Sequence, residues 1–415
     1  MRASLAAALA AITMTMAACG PPSAGARVLT EGERMTTPAD APIGRIVRGM
    51  TAFGYDLHSR TARPGENTVV SPFSVAAAFG MARAGAAGRT GTALDEIFDF
   101  PADGPHSAFN ALTGRIVTTD GPPPRRRPGA TRDAERGPEP PVVALANGTF
   151  VQDGLDVRRE FLRTVTAHYG AGVHVVDFGG DATGFIDAWA EERTAGRITR
   201  VFDRLPESTR VVLANAAYLR AEWERPFAGA TPPERGTFTR ADGGTTPVDL
   251  MRLNAPLRYA EGEGWQAVEL RYAESELAMW VLVPETGASP TALLSPDTLA
   301  RVADGLSERQ VDLAMPGWDF SASIDLMKAL DLAGGDFSGI ADGLTLDRAV
   351  HRATITVDEW GTEAAAVTGL AFPVSAPPSP QAVVRADHPF AFAVVHTPTR
   401  APLFIGQVAD PGRTG

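Results

Sequence analysis

The sequence holds one cysteine, Cys19, and one lysine, Lys328, among 415 residues. A lone cysteine excludes an internal disulfide, so stability must come from packing. A lone lysine excludes a phosphate-cradling loop ending in Gly-Lys-Ser/Thr. It also excludes a Ser-x-x-Lys nucleophile site, because Asp325 stands three residues before Lys328. The chain has no Gly-x-Ser-x-Gly turn and no His-Glu-x-x-His pair, which leaves a hydrolase without its usual machinery. His58, His106, His168, His174, His351, His388 and His396 show no metal-ligand spacing. No cofactor is expected. Positive charge is scarce too: 38 Lys and Arg stand against 49 Asp and Glu, and the net charge of −11 argues against a nucleic-acid partner.

The hydrophobic content of 44% is that of an ordinary globular protein. At the N-terminus, Arg2 precedes an apolar run from Leu5 to about Met16, too short to span a bilayer and suited to the core of a signal peptide over residues 1–18. Met16-Ala17-Ala18-Cys19 resembles a bacterial lipobox, in which the cysteine is lipidated and becomes the mature N-terminus; a plain secretory signal is the alternative. Residues 19–40, with Pro21, Pro22, Ser23 and Gly25, read as a flexible tether. The expected location is the cell envelope, periplasm or cell surface, held by lipid, or otherwise the exterior.

From residue 41 onward the pattern is that of one domain. Ile46, Val47, Met50, Phe53 and Leu57 predict an amphipathic helix over 43–58. Val69-Val70 then gives way to a helix with Ser71 as N-cap and Pro72 at its first position. Thr90 is expected to cap the next helix, which carries Leu94, Ile97 and Phe98. Between residues 119 and 141 the periodicity stops, and the Pro- and Arg-rich stretch around Arg125, Arg126 and Arg127 predicts a solvated insertion. Beyond it, strands and helices alternate. Asn215 is a single amide in the apolar run from Val211 to Leu219, and its donors and acceptors must be met inside the protein.

Several of these segments together resemble the serpin family. They are Asn67 to Val75 with the Gly85 to Thr90 ending, Val211 to Phe227 with its Asn-Ala start and Trp-Glu-x-x-Phe finish, and Phe337-Ser338-Gly339-Ile340. The run Gly361-Thr362-Glu363-Ala364-Ala365-Ala366-Val367-Thr368 resembles that family's reactive-loop hinge. The resemblance covers about Ile43 to Pro411. It implies an α+β serpin fold of three β-sheets with eight or nine helices, and an exposed reactive loop over residues 358–385. It also implies a monomer whose partner is a serine protease, held as a covalent acyl complex, with contact to membrane through the N-terminal lipid only.

In this family a protease cuts the loop and the hinge then enters the protein's own sheet, so the hinge side chains must fit an interior. Thr362, Ala364, Ala366 and Thr368 alternate along an extended chain and would share one face, with Glu363 on the other. By resemblance Ser71, Ser74, Asn215 and His351 latch the sheet from below, and Trp223 lies near the point of insertion. Family spacing counted from Gly361 places the scissile bond at Ser375-Ala376, with Phe372, Pro373 and Val374 as bait flanks; cleavage after Val374 or Phe372 stays open. Small apolar bait suits an elastase-like or subtilisin-like enzyme. No Arg or Lys between Gly361 and Val384 offers a trypsin-like pocket its charge. The competing reading is a serpin fold that binds or chaperones without inhibiting.

Overall fold

The computed structural model describes residues 27–37, 40–125, 138–227, 233–363 and 379–413. Cys19, the signal segment, most of the 119–141 insertion, Ala364 to Thr368 and Phe372 to Ala376 lie outside the described residues.

A seven-stranded sheet forms the centre. Its strands are β1 (Arg27–Leu29), β3 (Val142–Gln152), β4 (Val173–Val176), β5 (Val211–Glu222), β11 (Trp318–Asp325), β12 (Arg348–Val357) and β13 (Gly361–Thr362), in the order β1-β4-β3-β5-β13-β12-β11. β5 alternates two faces: Leu213, Ala217, Leu219 and Ala221 join the main core, while Ala214 and Ala216 pack with a smaller cluster around Phe150, Trp189 and Ile186. A sheet buried on both sides explains why β5 reads as a nearly continuous apolar run.

The second sheet has nine strands: β2 (Thr68–Val70), β6 (Glu234–Thr239), β7 (Thr245–Gly262), β8 (Trp265–Arg271), β9 (Leu277–Pro284), β10 (Ser307–Pro316), β14 (Ala382–Arg385), β15 (Phe390–His396) and β16 (Ala401–Val408). The 18-residue β7 joins two regions: Thr245 to Leu250 pair with β6, Leu250 to Tyr259 with β10, and Arg258 to Gly262 with β8. The three sheets implied by the sequence are thus the central sheet and two strand-rich regions sharing one long strand. β8, β9 and β15 pair antiparallel in turn, and every residue of β9, β15 and β16 is buried.

Eight α-helices surround these sheets among the described residues: α1 (Ile43–Thr61), α2 (Pro72–Arg83), α3 (Gly88–Phe98), α4 (His106–Ile116), α5 (Arg159–Tyr169), α6 (Ala182–Arg193), α7 (Pro296–Gly305) and α8 (Leu326–Ala329). α1 buries Ile46, Met50, Phe53 and Leu57, one helical face. α2 is buried almost all round, and it starts where Ser71 Oγ accepts from the Ser74 amide at 3.2 Å with Pro72 following.

Two expectations change. Thr90 does not cap α3; the helix begins earlier, and Thr90 Oγ1 instead accepts from the Asp336 amide at 2.7 Å, tying α3 to a distant turn. Part of the supposed tether is ordered structure: β1 pairs antiparallel with β4, and the Met35 amide donates to the Ala167 carbonyl at 2.8 Å. Pairing with a sheet edge supplies backbone partners that composition alone does not reveal.

Candidate functional site

The two central strands β5 and β12 are parallel neighbours only from Arg348/Val212 to Ala353/Ala217. Above that point they part. The opening is filled at its top by β13, which pairs antiparallel with both sides: Gly361 opposite Glu222, Thr362 opposite Ala221 and Val357. Only glycine fits the first of these positions, since a Cβ on residue 361 would stand 2.1 Å from the Ala221 carbonyl oxygen. Glu363 then adopts φ +54°, a left-handed conformation uncommon for a residue with a side chain. An extended strand cannot continue through such a residue, so the ladder stops there.

The inserted pair is anchored from β12 by a tight turn. Asp358 accepts at its carboxylate from the Trp360 and Gly361 amides at 2.8 and 3.0 Å, and its own amide donates to the Gly361 carbonyl at 3.0 Å. Trp223, 2% exposed, holds the turn from the other strand: its amide donates to the Trp360 carbonyl at 2.8 Å and its indole N–H to the Asp358 carbonyl at 3.0 Å. Tyr272 stacks on Trp223 with centroids 4.6 Å apart, and its hydroxyl lies 2.6 Å from Thr362 Oγ1 in full burial. Burial pushes the Tyr272 phenol well above its ordinary range, so it stays a neutral hydrogen-bonding group. Thr362 therefore faces the core side. Glu363 meets Tyr218 on the opposite face; burial first, then the Glu363 carboxylate, raises that phenol.

Below the opening lies a polar cluster in an otherwise apolar interior. His351 Nδ1 donates to Asn215 Oδ1 at 2.5 Å, and His351 Nε2 accepts from the Ser71 amide at 3.0 Å. That backbone donor fixes the tautomer, because Nε2 must be unprotonated to receive it. Asn215 Nδ2 donates to the Ser74 carbonyl at 2.8 Å, to Ser74 Oγ at 2.6 Å and to Asn147 Oδ1. Ser74 Oγ passes its own proton to the Ala216 carbonyl at 3.3 Å. Ser71, Ser74, Asn215 and His351 thus meet in one network that spans β12, β5 and the start of α2, with Asn147 of β3 added. Burial alone pushes the His351 imidazole down to about 3, so it is neutral at any physiological pH.

Sequence reasoning did not single out Asn147, Tyr272 or the residues beyond the loop. Asn147 carried a usable signal, a polar residue inside the apolar strand β3. Past the loop, Arg385 of β14 donates to Asp312 at 2.8 Å, and Arg252 donates to both oxygens of the same carboxylate at 3.0 and 3.1 Å. Burial would raise the Asp312 carboxyl, but the hydrogen bonds from Arg385 and Arg252 outweigh it and leave it below the usual range. The clamp fastens β14 in parallel to β10 immediately after the loop returns.

The family model described as Serpin (serine protease inhibitor) matches residues 48–411. A serpin-like protein of Thermococcus kodakarensis is 31% identical over 88% of this chain and 86% of its own length. The leukocyte elastase inhibitor of Bos taurus is 29% identical over 87% of this chain and 98% of its own. The native state of tengpin, a thermophilic serpin, superposes with a TM-score of 0.79 at 19% identity, covering 92% of this chain and 97% of tengpin. Serpin48 of Tenebrio molitor gives 0.73 at 26% identity, covering 90% and 100%. The chain belongs to the serpin family.

Three outcomes follow from this geometry. Gly361→Val should expel the inserted pair, read as faster amide hydrogen exchange at Ala221 and Glu222 with the rest of β5 still protected. Asn215→Ala leaves the His351 N–H and the Asn147 acceptor unpaired in the core; a loss of about 3 kcal/mol of stability is expected, measured by denaturant unfolding. For His351 the folded value of about 3 lies below the ordinary 6.5. Between these values the unfolded chain binds the extra proton, so stability is full above 6.5 and falls as pH drops toward 3. Wild-type stability should decline below that upper limit, and His351→Gln should show a shallower decline, with His58, held down to about 4 by burial, contributing part of the remainder.

Proposed function

We propose that the chain inhibits serine proteases by offering residues 364–378 as bait and, once cut after Ser375, drawing the N-terminal part of the loop, up to Ser375, into the opening between β5 and β12. The observation that carries this reading is the pairing of Gly361 and Thr362 with Ala221, Glu222 and Val357, an insertion already begun. In the reaction the protease serine oxygen attacks the Ser375 carbonyl, the amine of Ala376 departs with a proton from the protease, and an ester joins enzyme to loop. Extension of β13 then carries the esterified enzyme along the sheet before water can cleave the ester. The latch supports the reading as well, since insertion must separate β5 from β12 where His351 bonds Asn215.

Small apolar bait and the absence of Arg or Lys from Gly361 to Val384 favour an elastase-like or subtilisin-like target, and the Bos taurus relative is named an elastase inhibitor. The same reading takes Cys19 as a lipidated residue that holds the domain at the cell envelope.

Incubation of the purified protein with elastase, subtilisin, chymotrypsin and trypsin tests the proposal on a denaturing gel, with mass mapping of the released peptide. A complex stable to denaturant with elastase or subtilisin, none with trypsin, and a peptide beginning at Ala376 are expected. Clean loop cleavage by every enzyme without any such complex would sink the inhibitor reading and leave a binding or chaperone role.

A further inference from the structure

A second site lies at the far edge of the central sheet. β4 pairs with β3 only from Thr149 to Gln152, so among the described residues the outer edge of β3 from Val142 to Gly148 has no strand beside it. A cavity of about 260 Å³ opens along that edge, roofed by the segment after β1 and bounded by α2, α5 and α6. One end, on the main-core side, is apolar, with Met81, Val117 and Leu145. The other end carries hydrogen-bonding groups without partners. Beside Trp189, the Arg193 side chain makes no hydrogen bond or ion pair among the described residues and its Nε is buried, and His174 Nδ1 is likewise buried without a described partner. Among the described residues lining the cavity the one carboxylate, Asp120, is already bound by Arg34 at 2.7 Å.

We propose that this cavity binds a small carboxylate with an apolar body, such as a short fatty or arylacetic acid. Buried polar groups in folded proteins are nearly always hydrogen-bonded; Arg193 Nε–H calls for an acceptor, and His174 can offer a second donor to it as the Nδ1–H tautomer. The unpaired guanidinium makes that acceptor an anion, since a charge-assisted pair is the strong way to satisfy Arg193. The apolar end then takes the body of the ligand, the usual division of a small-molecule pocket. The volume limits the body to a ring or a short chain. Asn147 lines the cavity and accepts from Asn215, so the ligand sits one side chain from the latch. A carboxylate that fits the cavity in this arrangement of β3 and α2 favours it over any arrangement in which β3 has moved.

Calorimetric titration of the purified protein at neutral pH with octanoate and phenylacetate, and with octanol and phenylethanol as uncharged counterparts, tests the site. The expected result is one-to-one binding of at least one carboxylate, with its alcohol about tenfold weaker or more. Arg193→Gln, which removes no hydrogen bond or ion pair among the described residues, should weaken the carboxylate about tenfold while leaving the alcohol unchanged. Leu145→Trp, which fills the apolar end, should abolish both. Absence of binding by either acid up to about 10 mM overturns the proposal. So does binding unaltered by Arg193→Gln; if Leu145→Trp does not fold, the Arg193 comparison decides alone.

Discussion

β5 and β12 are hydrogen-bonded over half their length and open over the rest, and each functional side chain of the central sheet lies on a lip of that opening or beneath it. Parallel neighbours present their unpaired backbone groups to whatever comes between them, and an interior sheet cannot leave such groups unmet at low energy. Gly361 and Thr362 meet some of them at the top. The His351, Asn215 and Ser74 network holds the strands together within their paired stretch, just below the point where they part. The sheet is therefore closed by polar contacts at a place where purely apolar packing would have no directional preference. Such contacts are strong only at correct geometry, and they lapse together when one lip moves.

The main architecture was readable because it rests on local signals. Apolar periodicity gave α1, and the Ser71-Pro72 start gave α2. The lone amide in β5 announced a buried partner without naming it. Family resemblance implied Ser71, Ser74 and His351, and the structure brings all three to Asn215. What could not be read depended on approach between distant segments. Tyr272 looks like any strand-end aromatic until Thr362 is placed against it, and Asn147 acquires its role only from antiparallel register with Asn215. The strand β1 was hidden by composition, since Arg27-Val28-Leu29 is too short to declare itself beside prolines and glycines. Thr90 misled for a related reason: its hydroxyl serves a turn 246 positions away rather than its own helix.

The loop is fastened at both ends by different chemistry. Its N-terminal side is held by the hydrogen-bonded Asp358 turn, the buried Tyr272–Thr362 hydroxyl contact and a stacked Trp223–Tyr272 pair, none of them an ion pair. Its C-terminal side is held by Asp312 between Arg252 and Arg385, partly open to solvent and so sensitive to ionic strength. Conditions can therefore loosen one end without the other.

The turn Asp358 to Gly361 makes β12 and β13 two arms of a single hairpin. A hairpin whose turn is already formed grows by adding residues next to those already paired, and each addition closes almost no new loop. Such zippering belongs to the microsecond class of chain motions, far faster than events that must gather distant segments. The turn also locks the count, so that even-numbered residues beyond Thr362 must fall on its face and no slip by one can occur. Among the described residues, Glu363, in its left-handed conformation, must turn to an extended one before the proposed insertion can carry the ladder past it. In the proposed insertion the growth of this hairpin is gated by that backbone torsion and by the parting of β5 from β12 at the His351–Asn215 bond.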